Sequence, residues 1–351
     1  MSQSPSVNVI IVNMNGRRYL EKCLSSISDQ TYRNYKVTLV DNGSTDGSLE
    51  YVREHFPKVT VLDLKVNCGF AKGNNKGFES DSADYVITLN NDAWVDRDFI
   101  EVLVREAENN SSVASVGCKI VQAQDGLVRY GPQFIDRRLF IYKSPYLLRD
   151  PEQREYEIRS RVVANCACAA LYRSSTLRKV GFFDEDFSSN YEDHDLGYRI
   201  NLAGFLCIYT PATTVYHIGG GSEGSISNIQ PRRLKLIVRN QLYTYLKNYE
   251  PTNLIKVLPV TLITFAGWSF VLWLHGNTSF VTQSNFGYKR KNPFPLITAF
   301  LEGTLAFIKA FPTALVSRRR IQALRVVPDR RLFEDLSIHN FAFYPLRSKR
   351  K

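Results

Sequence analysis

Residues 35–48 read YKVTLVDNGSTDGS. A β-branched apolar run stops at Asp41-Asn42-Gly43, and small polar residues follow. The run reads as a buried strand. Asn-Gly supplies the tight turn, and Asp46 is placed to cap a helix over Ser48–His55. The same strand-then-polar-turn pattern recurs on either side. Val7–Val12 runs into Asn13-Met14-Asn15-Gly16, and Tyr85–Leu89 into Asn90-Asn91-Asp92. Between them, residues 18–29 place Leu20, Cys23, Leu24 and Ile27 at helical spacing. Val59–Leu64 reads as a third strand and Asn74–Glu79 as a helix. This β-α-β-α alternation predicts an α/β fold, a mostly parallel sheet with helices on both faces. In open sheets of that kind, ligands bind beyond the carboxyl ends of the strands, where these polar turns fall.

Residues 120–160 are less regular and rich in Tyr, Arg and Pro, which predicts an excursion over that crevice. Val162–Tyr172 reads as a strand, Phe187–Ala203 as containing a helix closed by Gly204, and Phe205–Thr210 as another strand. The composition then changes. Residues 1–245 read as the α/β unit and 246–351 as a basic, apolar helical region. Residues 251–351 carry 15 Lys/Arg against 4 Asp/Glu, which accounts for the whole formal net charge of +11. A basic tail of this kind meets nucleic acid or an anionic membrane surface.

The apolar runs in the tail decide between these in favour of the membrane. Val257–Leu274 would be about 27 Å long as a helix, just short of the ~30 Å hydrocarbon core. Phe294–Val316 carries Glu302 and Lys309 seven residues apart. That puts both on one helix face and fits a helix lying in the interface. The clusters Lys289-Arg290-Lys291, Arg318-Arg319-Arg320 and Arg347–Lys351 flank the runs. They predict the cytoplasm, at the inner face of the cell membrane. The competing use of these helices is packing on the α/β unit or forming a homodimer. No nucleic-acid partner is expected.

The six cysteines form no Cys-x-x-Cys and no zinc-like spacing, and read as reduced, buried thiols of a cytosolic domain. The N-terminus runs through small polar residues straight into a strand, so no secretory signal is expected. No Gly-x-Gly-x-x-Gly follows the first strand, against a dinucleotide-dependent oxidoreductase. The P-loop signature is absent as well. A sugar-phosphate nucleotidyltransferase would show a Gly-rich loop bearing Arg or Lys after the first strand. This one reads Asn13-Met14-Asn15-Gly16.

Four segments carry candidate chemistry, and each has a plainer reading beside it. Asp41, at a strand end, can accept hydrogen bonds from a nucleobase or ribose, or serve the turn alone. Asp92 can offer an oxygen ligand to a hard divalent cation that neutralises a diphosphate, or be an ordinary turn residue. Glu192-Asp193-His194-Asp195 gathers acids where a helix start favours them. One of them can also take a proton from an attacking hydroxyl. His217, ahead of three glycines, can ligate a metal or be a satisfied polar residue.

Taken in order, the segments are more specific than any one of them. VIIVNMNG, VDNGSTDGS, NCGFAKGNNKGF, LNNDAWV, GFFDEDF, YEDHDLGYR and VYHIGGGS, spread over residues 7–222, resemble glycosyltransferase family 2 with its GT-A fold. Within it, the likeness is to rhamnosyltransferase-like enzymes of surface polysaccharide synthesis. The resemblance implies a metal-dependent, inverting transfer of a sugar from a nucleotide-diphosphate donor to a glycan or lipid-linked acceptor. It implies a nucleoside pocket of Asn13, Asn15, Asp41, Asn67 and Asn90, with Lys72 approaching the diphosphate. Asp92 matches the last position of the family's Asp-x-Asp motif. Asn90 stands where the first Asp would be, so His217 becomes the second protein ligand for Mg2+ or Mn2+. Asp193 matches the base, with Glu192 and Asp195 supporting it. A non-catalytic nucleotide-sugar-binding or scaffold protein of the same fold is the alternative, should Asp193 be badly placed.

Overall fold

A computed structural model of the chain describes residues 4–136, 141–143, 154–187, 189–219, 231–275 and 294–337. The chain opens with β1 (Val7–Asn13), α1 (Arg17–Ser28), β2 (Tyr35–Asp41), α2 (Ser48–His55), β3 (Thr60–Asp63), α3 (Phe70–Glu79) and β4 (Tyr85–Leu89). It continues through β5 (Ala93–Val95), α4 (Phe99–Glu108), β6 (Val113–Gln122), β7 (Val128–Tyr130), β8 (Phe134–Asp136) and β9 (Ile141–Lys143). Then come β10 (Ser160–Val162), β11 (Ala169–Arg173), α5 (Ser174–Val180), α6 (Glu192–Leu202) and β12 (Leu206–His217). Four helices close the described chain: α7 (Pro231–Asn248), α8 (Pro251–His275), α9 (Phe294–Ala323) and α10 (Asp329–Asp335).

Ten strands form one sheet, in the order β10-β12-β6-β11-β4-β1-β2-β3, with β5 beside β12 and β7 beside β6. The alternation of side chains along a strand separates two cores. Val7, Val9 and Ile11 of β1 pack with Leu20, Leu24 and Ile27 of α1 and with α4. Ile10, on the opposite face, packs with Ala71 of α3, Leu177 of α5 and Leu196 of α6. Helices therefore cover both faces, as the alternation predicts.

The sheet combines a parallel body with antiparallel pairings. β4-β1-β2-β3 is parallel, and so is β12 with β6. β11 lies between β4 and β6, antiparallel to both. The run Val162–Tyr172 is not one strand. It breaks into β10 and β11, joined by a turn at residues 163–168. β12 is longer than the predicted strand and continues past Pro211 with a register shift, reaching His217. The excursion over 120–160 goes partly elsewhere. Ile135 of β8 donates its N–H to Leu336 O (2.9 Å) and packs among Leu332 and Phe333 of α10. Residues 144–153 lie outside the described set.

The C-terminal helices dock on the sheet unit. Gly303 of α9 lets α7 approach so closely that a Cβ there would lie 2.7 Å from Lys235 O and 2.9 Å from Val238 Cβ. Arg318, one of the predicted membrane-facing cations, turns inward. Its Nη1 donates to Leu246 O and Tyr249 O at 2.6 Å each, closing the carboxyl end of α7. Gln322 does the same for Lys247 O and Asn248 O at 3.0 Å. Among the described residues, one segment, Ile297–Ala323, is long and apolar enough to cross a membrane by length and composition. Leu301, Leu305 and Ile308 stand more than half exposed on it. The clusters at 289–291 and 347–351 lie outside the described set.

Candidate active site

The polar turns after β1, β2 and β4 meet at the carboxyl edge of the parallel strands, as β1 pairs in register with both β2 and β4. Asp41 is fully buried and is held by three donors. Asn13 Nδ2 reaches Oδ1 at 3.0 Å, Ser44 Oγ reaches Oδ1 at 2.6 Å, and Ser44 N reaches Oδ2 at 2.8 Å. Asn15 adopts a left-handed backbone (φ 49°), donates its N–H to Ser44 Oγ at 2.9 Å, and accepts from Thr45 N at 2.8 Å. Three of the predicted nucleoside residues thus converge on Ser44, which the sequence reading missed. Its signal was its place two residues past Asn42 in a turn where serine hydroxyls bond locally. Asp46 acts one position before the helix cap. It accepts from Ser48 N (3.1 Å) and from Arg17 N (2.8 Å), so it ties the starts of α1 and α2 together.

Asn67 forms its own turn, accepting from Gly69 N at 2.9 Å. The neighbouring Cys68 and Gly69 are tied to Asn42. Lys72 Nζ reaches across to Glu185 at 3.7 Å. Both side chains are about half exposed, so the pair stabilises little.

The Asn90-Asn91-Asp92 turn spreads its three side chains over two partners. Asn91 Nδ2 donates to Asn13 Oδ1 at 2.8 Å. Asn90 Nδ2 lies 3.3 Å, and Asp92 Oδ1 3.0 Å, from His217 Nε2. Asp92 and His217 are 125 residues apart in sequence. The antiparallel pairing of β5 with β12 sets Ala93 opposite His217 and Trp94 opposite Tyr216. The Trp94 and Tyr216 rings stack with centroids 5.8 Å apart, and Lys22 Nζ sits 3.4 Å from the Trp94 centroid. A cross-strand aromatic pair of this kind pins register, and register alone puts the carboxylate beside the imidazole.

These two groups suit a divalent cation. Adjacent ligands of an octahedral ion at about 2.1 Å stand roughly 3.0 Å apart, the separation already present. Among the described residues no cluster of three His, Cys, Asp or Glu side chains offers a complete protein cage.

Asp193 stands in the first turn of α6, against the turn that joins β10 and β11. Its Oδ1 accepts from His194 N and lies 2.8 Å from His194 Nδ1, and its Oδ2 accepts from Ala167 N at 3.3 Å. Burial pushes the Asp193 carboxyl upward, but His194 and the two backbone N–H groups outweigh it, and the net shift is downward. The group is therefore ionised at neutral pH. Glu192 is buried beside it.

Asp195 has a different setting. It is wholly buried, accepts from Arg199 Nε (2.8 Å), Asn248 Nδ2 (2.8 Å) and Lys247 Nζ (2.9 Å), and anchors α6 to α7. The loop before α6 is strained. Asn190 and Tyr191 both have positive φ, 64° and 72°, at a cost of about 1–2 kcal/mol each for residues with a Cβ. Asn240 Nδ2, from α7, donates to Phe187 O, Ser189 O and Asn190 O at 3.2, 2.9 and 2.8 Å.

Comparison with known proteins identifies the family and the fold. The sequence profile described as Glycosyl transferase family 2 matches residues 8–181. An N-acetylglucosaminyl-diphospho-decaprenol L-rhamnosyltransferase of Mycobacterium tuberculosis is 30% identical over 237 residues, covering 62% of this chain and 77% of that one. A glycosyltransferase of Haemophilus influenzae without assigned substrates is 26% identical, covering 75% and 81%. Among solved structures, a mannosyltransferase from Pyrobaculum calidifontis in complex with GDP-mannose and Mn2+ superposes with a TM-score of 0.56 at 19% identity, covering 88% of each chain. GalNAc-T7 with UDP, GalNAc and Mn2+ gives a TM-score of 0.58 at 15% identity, covering 89% of this chain and 58% of that one. With the crevice at the strand ends and the motifs in order around it, the chain belongs to glycosyltransferase family 2, a sugar-transferring enzyme on a GT-A fold.

Proposed function

We propose that the protein is an inverting glycosyltransferase that moves a sugar, rhamnose by the likeness of its relatives, from a nucleotide-diphosphate donor to a hydroxyl of a lipid-linked or glycan acceptor. In this reading Asn13, Asn15, Asp41, Asn67 and Asn90 line the nucleoside pocket, and Lys72 swings from Glu185 to the diphosphate. Asp92 and His217 hold Mg2+ or Mn2+, which neutralises charge on the leaving diphosphate. Asp193, ionised and held by Ala167 N–H, takes the proton of the acceptor hydroxyl as that oxygen attacks the anomeric carbon from the face opposite the diphosphate. One displacement inverts the centre. Glu192 and Asp195 support the base, Asp195 by fixing the helix that carries it.

The region after residue 245 is proposed to bring this site to the inner face of the cell membrane. The exposed apolar stripe of α9 and the exposed Arg319 and Arg320 support an anionic membrane surface as the partner. Pairing of that stripe with a second copy is the competing arrangement.

What supports the proposal is the Asp193 carboxyl, held by Ala167 N and shifted downward, together with the Asp92–His217 pair at 3.0 Å. Asp193→Asn keeps the shape and removes the base. It should bind the donor nucleotide as the parent does and lose at least ~10²-fold in turnover. Turnover near the parent rate would remove Asp193 from the mechanism.

A further inference from the structure

α7 touches the base segment on both sides. Before the base, Asn240 supplies the amide for three carbonyls of the loop, at Phe187, Ser189 and Asn190. Arg239 Nη1 adds a hydrogen bond to Asp186 O at 2.5 Å, and Tyr243 OH donates to Asp186 Oδ2 at 2.7 Å. After the base, Lys247 Nζ pairs with Asp195 at 2.9 Å and also with Asp184. Asn240 is fully buried, and its Oδ1 accepts from Arg239 Nη1 at 2.8 Å. Its role is not interchangeable with general packing. An amide nitrogen carries two hydrogens, and here they serve three carbonyls that converge because the chain turns left-handed at Asn190 and Tyr191. Tyr191 is the residue from which α6 starts, and its carbonyl accepts the first helical bond, from Asp195 N at 2.9 Å. The direction in which α6 leaves that turn fixes where Asp193 points.

We infer that Asn240 is a positioning residue for the transfer reaction, holding the left-handed Asn190–Tyr191 turn so that Asp193 is presented to the acceptor hydroxyl. This rests on Asp193 being the base. Asn240 touches no reacting atom and acts through the turn. Asparagine is a weaker helix former than the residues that usually fill a helix interior, so its place here serves the loop geometry rather than helix stability.

The test uses the full chain. UDP-, GDP- and dTDP-sugars with Mn2+ are screened by thermal shift, and the one that binds is followed by release of its nucleoside diphosphate with water as acceptor. Asn240→Asp is isosteric but presents oxygens to the three carbonyls. It should lower kcat by about 10- to 100-fold, the scale of a small misplacement of a reacting group, at unchanged KM and unchanged thermal shift by the donor. Thr244→Val, buried one turn along and bonded only to the helix backbone at Asn240 O, should lower stability and leave kcat alone. Should the Asp variant not be recovered folded, Asn240→Ser, with a shorter donor, is measured in its place against the same expectation. A kcat equal to the parent's in either variant overturns the inference. Asp193→Asn run in parallel separates the two claims. If it turns over like the parent, the base assignment fails and takes this inference with it. If it is inactive while the Asn240 variant is fully active, only the positioning role fails.

Discussion

Asn90 and Asp193 hang from adjacent residues of one turn: Asn90 N donates to Cys168 O at 2.8 Å, and Ala167 N donates to Asp193 Oδ2 at 3.3 Å. The turn between β10 and β11 thus carries both the Asn90 backbone and the Asp193 carboxylate. A shift of that turn moves both together. In the proposed mechanism this would couple the donor side of the crevice to the base, the preorganisation that an in-line displacement needs.

The Asp92–His217 pair makes metal dependence a sharp expectation. EDTA should abolish turnover, and added Mn2+ or Mg2+ should restore it. Asp92→Asn should weaken the thermal shift that a nucleoside diphosphate gives with Mn2+ while leaving the metal-free melting temperature nearly unchanged. Full activity in chelated enzyme would remove the metal from the mechanism.

The pH dependence follows from the downward shift of Asp193. A carboxylate held below its unfolded value, about 3.9, is ionised throughout the neutral range, so no loss of base function should appear between pH 8 and roughly pH 5. An acid limb in kcat that Asp193→Asn removes should lie below the ordinary carboxylate range. If such a limb sits near pH 6–7, the environment read here for Asp193 is wrong.

Asp195 gives a stability prediction of the same sign. Burial raises its carboxyl, but Lys247 and then Arg199 and Asn248 outweigh that, and the net shift is downward. A depressed folded value contributes stability that is complete above the unfolded value and is lost as the pH falls through the folded one. Acid unfolding should therefore begin below about pH 4. Lys247→Met should destabilise by about 3–5 kcal/mol, because it strips one cation from a buried network. Denaturant unfolding at pH 7 measures this, and a change under about 1 kcal/mol would mean that Arg199 alone suffices.

For the membrane, cutting the chain near Asn248 is a poor experiment. Arg318, Gln322 and Arg325 close the last carbonyls of α7, and a truncated chain loses those bonds. Replacing the exposed Leu301, Leu305 and Ile308 by Asp leaves them in place. That triple variant should stay folded and no longer sediment with anionic vesicles, whereas the parent should. If both ignore vesicles and the parent alone is dimeric by light scattering, the stripe is a subunit interface.

Much of this was legible in advance, for reasons tied to particular residues. Asp41, Asn90 and Asp92 follow apolar β-branched runs, so period and turn chemistry place them at strand ends without any tertiary knowledge. His217 was legible only as a residue after a strand. Its meeting with Asp92 depends on β5, three residues long, whose pairing with β12 no local pattern announces. The direction of β11 was not legible for a related reason: it reads as any buried strand, and its antiparallel setting is decided by the connection around α4 and β6. Asn240 was invisible, since a single asparagine in a polar helix has no signal until the loop it holds has been folded against it.

The turn shared by Asn90 and Asp193 has cysteines on both sides of Ala167, and Cys23 Sγ lies 3.6 Å from Asn90 O on its other flank. Burial raises the pKa of all three thiols, and nearby carboxylates add to it, Asp92 at Cys23 and Cys168 and Asp193 at Cys166. Alkylating reagents attack the thiolate, so buried Cys23 and Cys168 stay unlabelled while the crevice floor is closed, and half-buried Cys68, whose thiol is raised less, reacts before half-buried Cys166. The slow labelling of Cys23 and Cys168 is a built-in clock for breathing of the site, and a bound nucleotide should make it run slower.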